Sequence, residues 1–206
     1  MITARRAVTL PVSFFARPAE VVARELIGTV LVSSLGGRRT AGRIVETEAY
    51  LGYADPASHG FRHRRNARNA ALFGPAGSWY VYLSYGLHWC ANLVCGVEGE
   101  ASAVLLRAIE PLQGLVAMRR RRGRVGDRQL CAGPGRLTQA FGVARSLNGT
   151  MMSRSPLVVA GDPTAAALPV AVTSRIGITQ AADWPLRFVA AGSLWASRPS
   201  LRAPRL

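Results

Sequence analysis

The chain has 206 residues, 49% of them hydrophobic, enough for one well-packed domain and too few for two comfortable ones. Its 26 basic residues are all arginine against 11 acidic ones, and the net charge of +15 points to a polyanionic partner, although arginine-rich codon usage alone would also make a basic chain. No run approaches the roughly 18 uninterrupted apolar residues of a membrane-spanning helix. An odd set of three cysteines (Cys90, Cys95, Cys131), with no start resembling a secretory signal, fits a reducing compartment, so a cytoplasmic protein without a membrane partner is expected.

In chain order, residues 1–12 and 197–206 read as loose termini around a single domain spanning 1–206. Phe14 to Gly28 predicts an amphipathic helix opened by Ser13 and closed by glycine, with Val21, Val22, Leu26 and Ile27 facing the core. Thr29–Leu35 and Gly42–Tyr50 flank Gly36-Gly37-Arg38 as two strands joined by a glycine turn. On the second of them Ile44, Glu46, Glu48 and Tyr50 share a face. Leu51 to Pro75 is polar, broken by Gly52, Pro56, Gly60 and Gly74, and carries Arg62, Arg64, Arg65 and Arg68. So long an irregular segment in a compact domain is usually functional.

Trp79–Ser84 and Leu87–Val94 form a hairpin with Tyr85 at its tip, followed by an apolar strand, Ala103–Ile109, whose one charge is Arg107. Pro111 is expected to open a helix through Met118, with Arg119 to Arg122 against the negative end of its dipole. A short helix follows Gly133-Pro134-Gly135, and Leu157–Ala160, Ala171–Ile178 and Leu186–Ala191 return as strands.

Glu48 beside Tyr50 offers a carboxylate to polarise water and a ring to stack a base. The same spacing fits a strand glutamate that is solvated or paired to an arginine, and Glu46 fits that plainer description better. The positive field should favour the ionised form of any pocket acid. With no lysine there is no side-chain amine for a Schiff base, which argues against strand cleavage. His59, His63, Cys90 and Cys95 make a poor zinc set, so no metal and no cofactor is expected. Arginines around 62–68 and 119–128 fit either phosphate contacts or a solvated face. Tyr80, Tyr82 and Trp89 fit a core better than a base platform, whereas a ring at a turn tip such as Tyr85 is rarely buried.

The string Val45-Glu46-Thr47-Glu48-Ala49-Tyr50-Leu51-Gly52 resembles the alkyladenine (3-methyladenine) DNA glycosylase family of the mammalian type. Further stretches match in order: Arg68-Asn69, Phe73-Gly74, Tyr80-Val81-Tyr82 with Tyr85-Gly86, Cys90 with Asn92, Leu105 to Ala108 with Glu110-Pro111, Leu130-Cys131 with Gly133-Pro134, Arg175-Ile176-Gly177, and Pro185 to Phe188. The resemblance runs from Phe14 to Trp195.

It implies a single α+β domain with a curved antiparallel sheet flanked by helices, a protruding hairpin facing DNA, and a pocket for a flipped nucleotide. By position it implies Glu48 as general base, its water held by Arg107 and the carbonyl of Ile176. Tyr50, His59 and Tyr82 would enclose the base, and Asn92 would obstruct the amino group of normal guanine. Tyr85 would be the wedge in the stack, and Arg65, Arg68 and Arg136 would contact DNA. The implied activity is monofunctional excision of damaged purines from double-stranded DNA by a monomer. Asn66-Ala67 stands where the family commonly has threonine-proline, and Leu72 where it has methionine. Two other readings remain open at this point. One is a non-catalytic nucleic-acid binding domain of the formyltransferase C-terminal type. The other is a metal-dependent nuclease, for which the acids show no clustering.

Overall fold

The computed structural model describes residues 8–161 and 168–197. Among these residues nine antiparallel strands form one sheet: β1 (Val8–Thr9), β2 (Val30–Ser33), β3 (Thr40–Tyr50), β4 (Trp79–Ser84), β5 (His88–Cys95), β6 (Ser102–Gln113), β7 (Leu157–Gly161), β8 (Val170–Thr173) and β9 (Arg187–Ala190). Their order is β1-β7-β2-β3-β6-β5-β4, and β9 joins β3 carrying β8 with it. β2 pairs with Thr40–Arg43 and β9 with Glu46–Glu48, so one edge of β3 serves two strands in succession and the sheet curls into half a barrel. The architecture is the expected α+β domain with a curved antiparallel sheet.

The helices are α1 (Val12–Phe15), α2 (Ala19–Glu25), α3 (Leu115–Arg122) and α4 (Pro134–Phe141). α2 packs on β3 and β6, and α4 on β5 and β6. Phe15, Val22, Leu26, Trp79, Leu106 and Phe141 are fully buried in the apolar cluster between them. Each such side chain contributes roughly 1.5–3 kcal/mol by leaving water.

Several elements differ from the sequence expectation. The single helix over 14–28 is two, α1 and α2, because Pro18 lacks an amide donor and pushes Arg17 away from helical backbone. Val21 is exposed, while Val22, Leu26 and Ile27 are buried as expected. Pro111 lies inside β6, and the helix starts only after Gly114, whose φ of 80° reverses the chain. A Cβ at Gly114 would collide with the carbonyl oxygen of Arg39. The strand expected over Ala171–Ile178 ends at Thr173, since Arg175 and Ile176 turn aside to bond Asp55 and Glu48. At the termini, Val8–Thr9 pair with β7, and Ser197 is bonded to Glu46, so these residues are held. Residues 1–7 and 198–206 lie outside the described ones.

The β4–β5 hairpin forms as read. Tyr85 and Gly86, at φ 50° and 70°, both adopt the left-handed backbone that a primed turn requires. Residues 51–78 are irregular with three short helical turns, Gly52–Ala54, Phe61–His63 and Ala70–Phe73. Asn69 braces this segment, donating to the carbonyls of His59 (2.9 Å) and Arg64 (2.7 Å).

Candidate active site

Strand alternation on β3 sorts its residues. Thr47 donates its hydroxyl to the Ala23 carbonyl of α2 at 2.8 Å, while Glu46, Glu48 and Tyr50 point away from that helix. Ile44 lies in the apolar cluster and does not share their face, because the pairing of β3 with β6 slips twice between Ile44 and Thr47. The first slip leaves Val45 unpaired on β3, and the second leaves Arg107 unpaired on β6. Freed from regular pairing, Arg107 reaches both carboxylates. Its Nε donates to Glu46 Oε1 at 3.0 Å and its Nη1 to Glu48 Oε2 at 3.2 Å.

Glu48 has no solvent exposure. Its Oε2 also accepts from the Tyr50 hydroxyl at 2.9 Å, and its Oε1 accepts from the Ile176 amide at 2.7 Å. A carboxylate has about four acceptor positions, so three donors leave one unfilled. Burial raises the Glu48 pKa, Arg107, the Ile176 amide and Tyr50 oppose it, and Glu46 adds to the rise; the balance lies above the ordinary carboxylate value. The sequence expectation that the positive field would favour the ionised form is therefore reversed, because desolvation outweighs the arginine. Glu46 behaves oppositely. Burial alone would raise it, but Arg107, Arg187 and the Ser197 amide together lower it.

Tyr50, Arg107 and Ile176 form the wall in front of Glu48, and that wall closes a cavity of about 480 Å³. His59, Tyr80, Tyr82 and Asn92 line the rest with Cys90. His59 Nδ1 lies 2.8 Å from the Tyr80 hydroxyl, and its ring meets Tyr82 edge-on at 4.6 Å between centroids. Burial, reinforced by Arg68, lowers the His59 pKa and keeps the imidazole neutral at pH 7. Burial pushes the Tyr50 and Tyr82 hydroxyls up, so both stay protonated. Asn92 donates to the Tyr80 carbonyl at 3.0 Å across the hairpin. Arg175 stacks behind Tyr50, 4.7 Å from its ring centroid, and pairs with the buried Asp55 at 2.9 Å. Asp55 in turn accepts from the Leu51 and Ala57 amides and so fixes the segment that leads to His59.

The structure thus brings Glu48, Tyr50, His59, Tyr82, Asn92, Arg107 and Ile176 together. The amide of Ile176 contacts Glu48 directly. Tyr85 is 85% exposed at the cavity mouth, and Arg68 lines the same cavity. Arg136 lies in an adjoining groove that shares His88 and Pro134 with the cavity. Arg65 does not reach the cavity; its guanidinium sits over the Phe73 ring at 5.6 Å. His63 stacks on Tyr53, away from His59, and Cys95 is in the core. Among the described residues no three His, Cys, Asp or Glu side chains gather as a metal set, and no helix is long and apolar enough to cross a membrane.

Sequence reasoning passed over Asp55 and gave Arg175, Asn69 and Tyr80 no role in the site. Tyr80 was legible as a core aromatic and is one, at 3% exposure, yet its hydroxyl also orients His59. Arg175 stood in the matched Arg175-Ile176-Gly177 string, but its partner is 120 residues away and carries no local signal.

The sequence profile of the methylpurine-DNA glycosylase family matches residues 13–194. A protein of Methanoculleus marisnigri, provisionally named 3-methyladenine DNA glycosylase, is 49% identical over 193 residues, covering 92% of this chain and 99% of its own. Relatives with the same provisional name in Rhodopseudomonas palustris (49% over 190 residues, 90% of this chain and 89% of theirs) and Burkholderia lata (44% over 196 residues, 94% and 93%) are similar over comparable spans. With the profile match covering most of the chain and these relatives matching nearly end to end, the chain belongs to the methylpurine-DNA glycosylase family.

Proposed function

We propose that the chain is a monofunctional DNA glycosylase that flips alkylated or deaminated purines out of duplex DNA. Its substrates belong to the 3-methyladenine, 7-methylguanine, hypoxanthine and ethenoadenine class. Water replaces the base at the sugar carbon, so the products are a free base and an abasic site in an intact strand. The observation that carries this reading is a buried carboxylate, Glu48, held by three donors directly behind the wall of an aromatic-lined cavity. The same placement favours catalysis over a non-catalytic binding domain, which needs no desolvated acid beside its base pocket.

A duplex hides the glycosidic bond, so extrusion comes first and costs a few kcal/mol, least for damaged or mispaired bases. Tyr85 at the exposed hairpin tip fills the gap, and Arg65, Arg68 and Arg136 contact the flanking DNA. Tyr50, His59 and Tyr82 enclose the base. A neutral His59 tolerates the cationic N3- and N7-alkylated purines that a protonated one would repel. As the bond to the base lengthens the sugar gains oxocarbenium character. Glu48, using its remaining acceptor position, stabilises that charge and takes a proton from the attacking water, with Arg107 and Ile176 keeping the carboxylate and water in place. Asn92 narrows the cavity where the amino group of guanine would lie. Without lysine the chain offers no side-chain amine for a Schiff base, which supports hydrolysis without strand cleavage. Action as a monomer in a reducing cytoplasm completes the proposal; Cys90, Cys95 and Cys131 are all buried and unpaired, which fits that compartment.

The test is single-turnover release of hypoxanthine and of 3-methyladenine from duplex DNA with EDTA present, comparing the native protein with Glu48→Gln. Release by the native protein, and a loss of about a hundredfold or more in the variant, is expected for removal of a general base. DNA binding without release of either base by the native protein would return the chain to the binding-domain reading.

A further inference from the structure

We propose that Glu46 is a positioning residue of this reaction, one that fixes the Arg107 guanidinium and takes up much of its charge so that Glu48 stays basic. The inference rests on the glycosylase reading above and adds a second carboxylate to it.

Glu46 is as deeply buried as Glu48 but touches nothing that lines the cavity except Arg107. Its Oε1 accepts from Arg107 Nε at 3.0 Å, from Arg187 Nε at 2.8 Å and from the Ser197 hydroxyl at 2.7 Å, and its Oε2 accepts from the Ser197 amide at 2.6 Å. Three donors crowd Oε1 and one holds Oε2, and the carboxylate is fully buried and absent from the cavity lining, so neither water nor substrate in the cavity meets it. It therefore acts through Arg107. Two carboxylates face two guanidiniums in a buried site, and Arg107 is shared between the carboxylates. If Arg107 belonged to Glu48 alone, the pair would be a closed ion pair, and a carboxylate so stabilised is a weak base. With Glu46 on the Nε side, only Nη1 turns to Glu48, at the longer distance of 3.2 Å. Arg187 and Ser197 hold Glu46 in turn.

The charged and titratable groups around Glu48 are Glu46 and Tyr50 on its own strand, Arg107 on β6, Tyr82 on β4, Cys90 on β5 and Arg187, its cross-strand neighbour on β9. The phenols and the thiol are pushed up by burial and stay protonated in acid. His59 titrates on the acid side but contacts Tyr80 and Tyr82, so its contribution is common to the native protein and to variants at Glu46.

The experiment is the pH profile of single-turnover hypoxanthine release at saturating protein, together with DNA affinity and melting temperature, for the native protein, Glu46→Gln, Glu46→Asp and the double variant Glu46→Gln/Arg187→Gln. The double variant removes one charge of each sign and so guards against a fold lost to an unbalanced guanidinium. Removing the negative neighbour gives Arg107 wholly to Glu48 and makes Glu48 less basic. In Glu46→Gln and in the double variant the acid limb should therefore move to lower pH, while the plateau rate falls about tenfold or more and DNA affinity is unchanged. Glu46→Asp keeps the charge and should keep the native acid limb. An unmoved acid limb in the folded glutamine variants, whatever their rate, overturns the proposal and leaves Glu46 a structural residue; so does loss of folding in both glutamine variants. A native protein that releases no base at any pH sinks the glycosylase reading itself, which is a separate outcome.

Discussion

At the residue scale the two buried glutamates of β3 carry opposite linkage. The Glu48 pKa is raised in the folded protein, so whatever stability its carboxyl lends is present below its unfolded pKa and is lost as pH rises through the folded value. The Glu46 pKa is lowered, so its stabilisation is present above the unfolded pKa and is lost as pH falls through the folded value. Ionisation of Glu48 therefore works against the fold. Glu48→Gln should melt at a higher temperature than the native protein at pH 8, and the gap should narrow toward pH 4 as native Glu48 takes up its proton. Calorimetric melts at the two pH values check this, and a variant that melts lower at pH 8 would contradict it. Both glutamates were visible in the sequence through alternation with Tyr50, and Arg107 as the one charge in an apolar run. The sequence already set Glu48 apart from Glu46, but what holds Glu46 was not legible, since Arg187 and Ser197 arrive from the far end of the chain.

At the scale of elements, the hairpin was legible and the first helix was not. Alternating aromatics and a Tyr-Gly turn are local signals, and local chemistry decides a primed turn. Pro18 splits a run whose apolar spacing looks continuous, and Gly114 rather than Pro111 decides where β6 gives way to α3. The exposed tip makes a separable prediction. Tyr85 packs against nothing that folding depends on, so Tyr85→Ala should leave the melting temperature unchanged. It should lower base release from duplex DNA about tenfold while sparing a lesion in single-stranded DNA, because removing one stacking ring costs roughly 1–3 kcal/mol. Equal losses on both substrates would remove the wedge role.

For the molecule as a whole, the excess of 15 positive charges with no lysine predicts binding governed by phosphate contacts. The logarithm of DNA affinity should fall linearly with the logarithm of salt concentration, with a slope of about −0.9 per phosphate neutralised. Fluorescence anisotropy from 50 to 200 mM salt measures it, and replacing Arg68 or Arg136 with glutamine should flatten the slope by about one each. An unchanged slope would place that arginine off the DNA. Composition pointed to a polyanionic partner, and the family resemblance implied the α+β class. Strand order was beyond it, because β7 between β1 and β2, and β9 beside β3, are pairings between distant parts of the chain whose short strands carry no address.

The paired slips on β3 and β6 have a consequence for inheritance. Val45 is an extra residue on one strand and Arg107 an extra residue on the other, so the registers above and below them agree. A lineage that lost a residue near Val45 alone would put β3 out of phase with its neighbours on one side of the loss, forcing acids into the apolar layer or apolar residues into the cavity wall. Losing both would restore a regular ladder from Gly42 to Tyr50 and delete the guanidinium. The irregularity can be kept whole or lost whole, and a family member in which only one strand has been shortened is expected to have lost its chemistry along with its register.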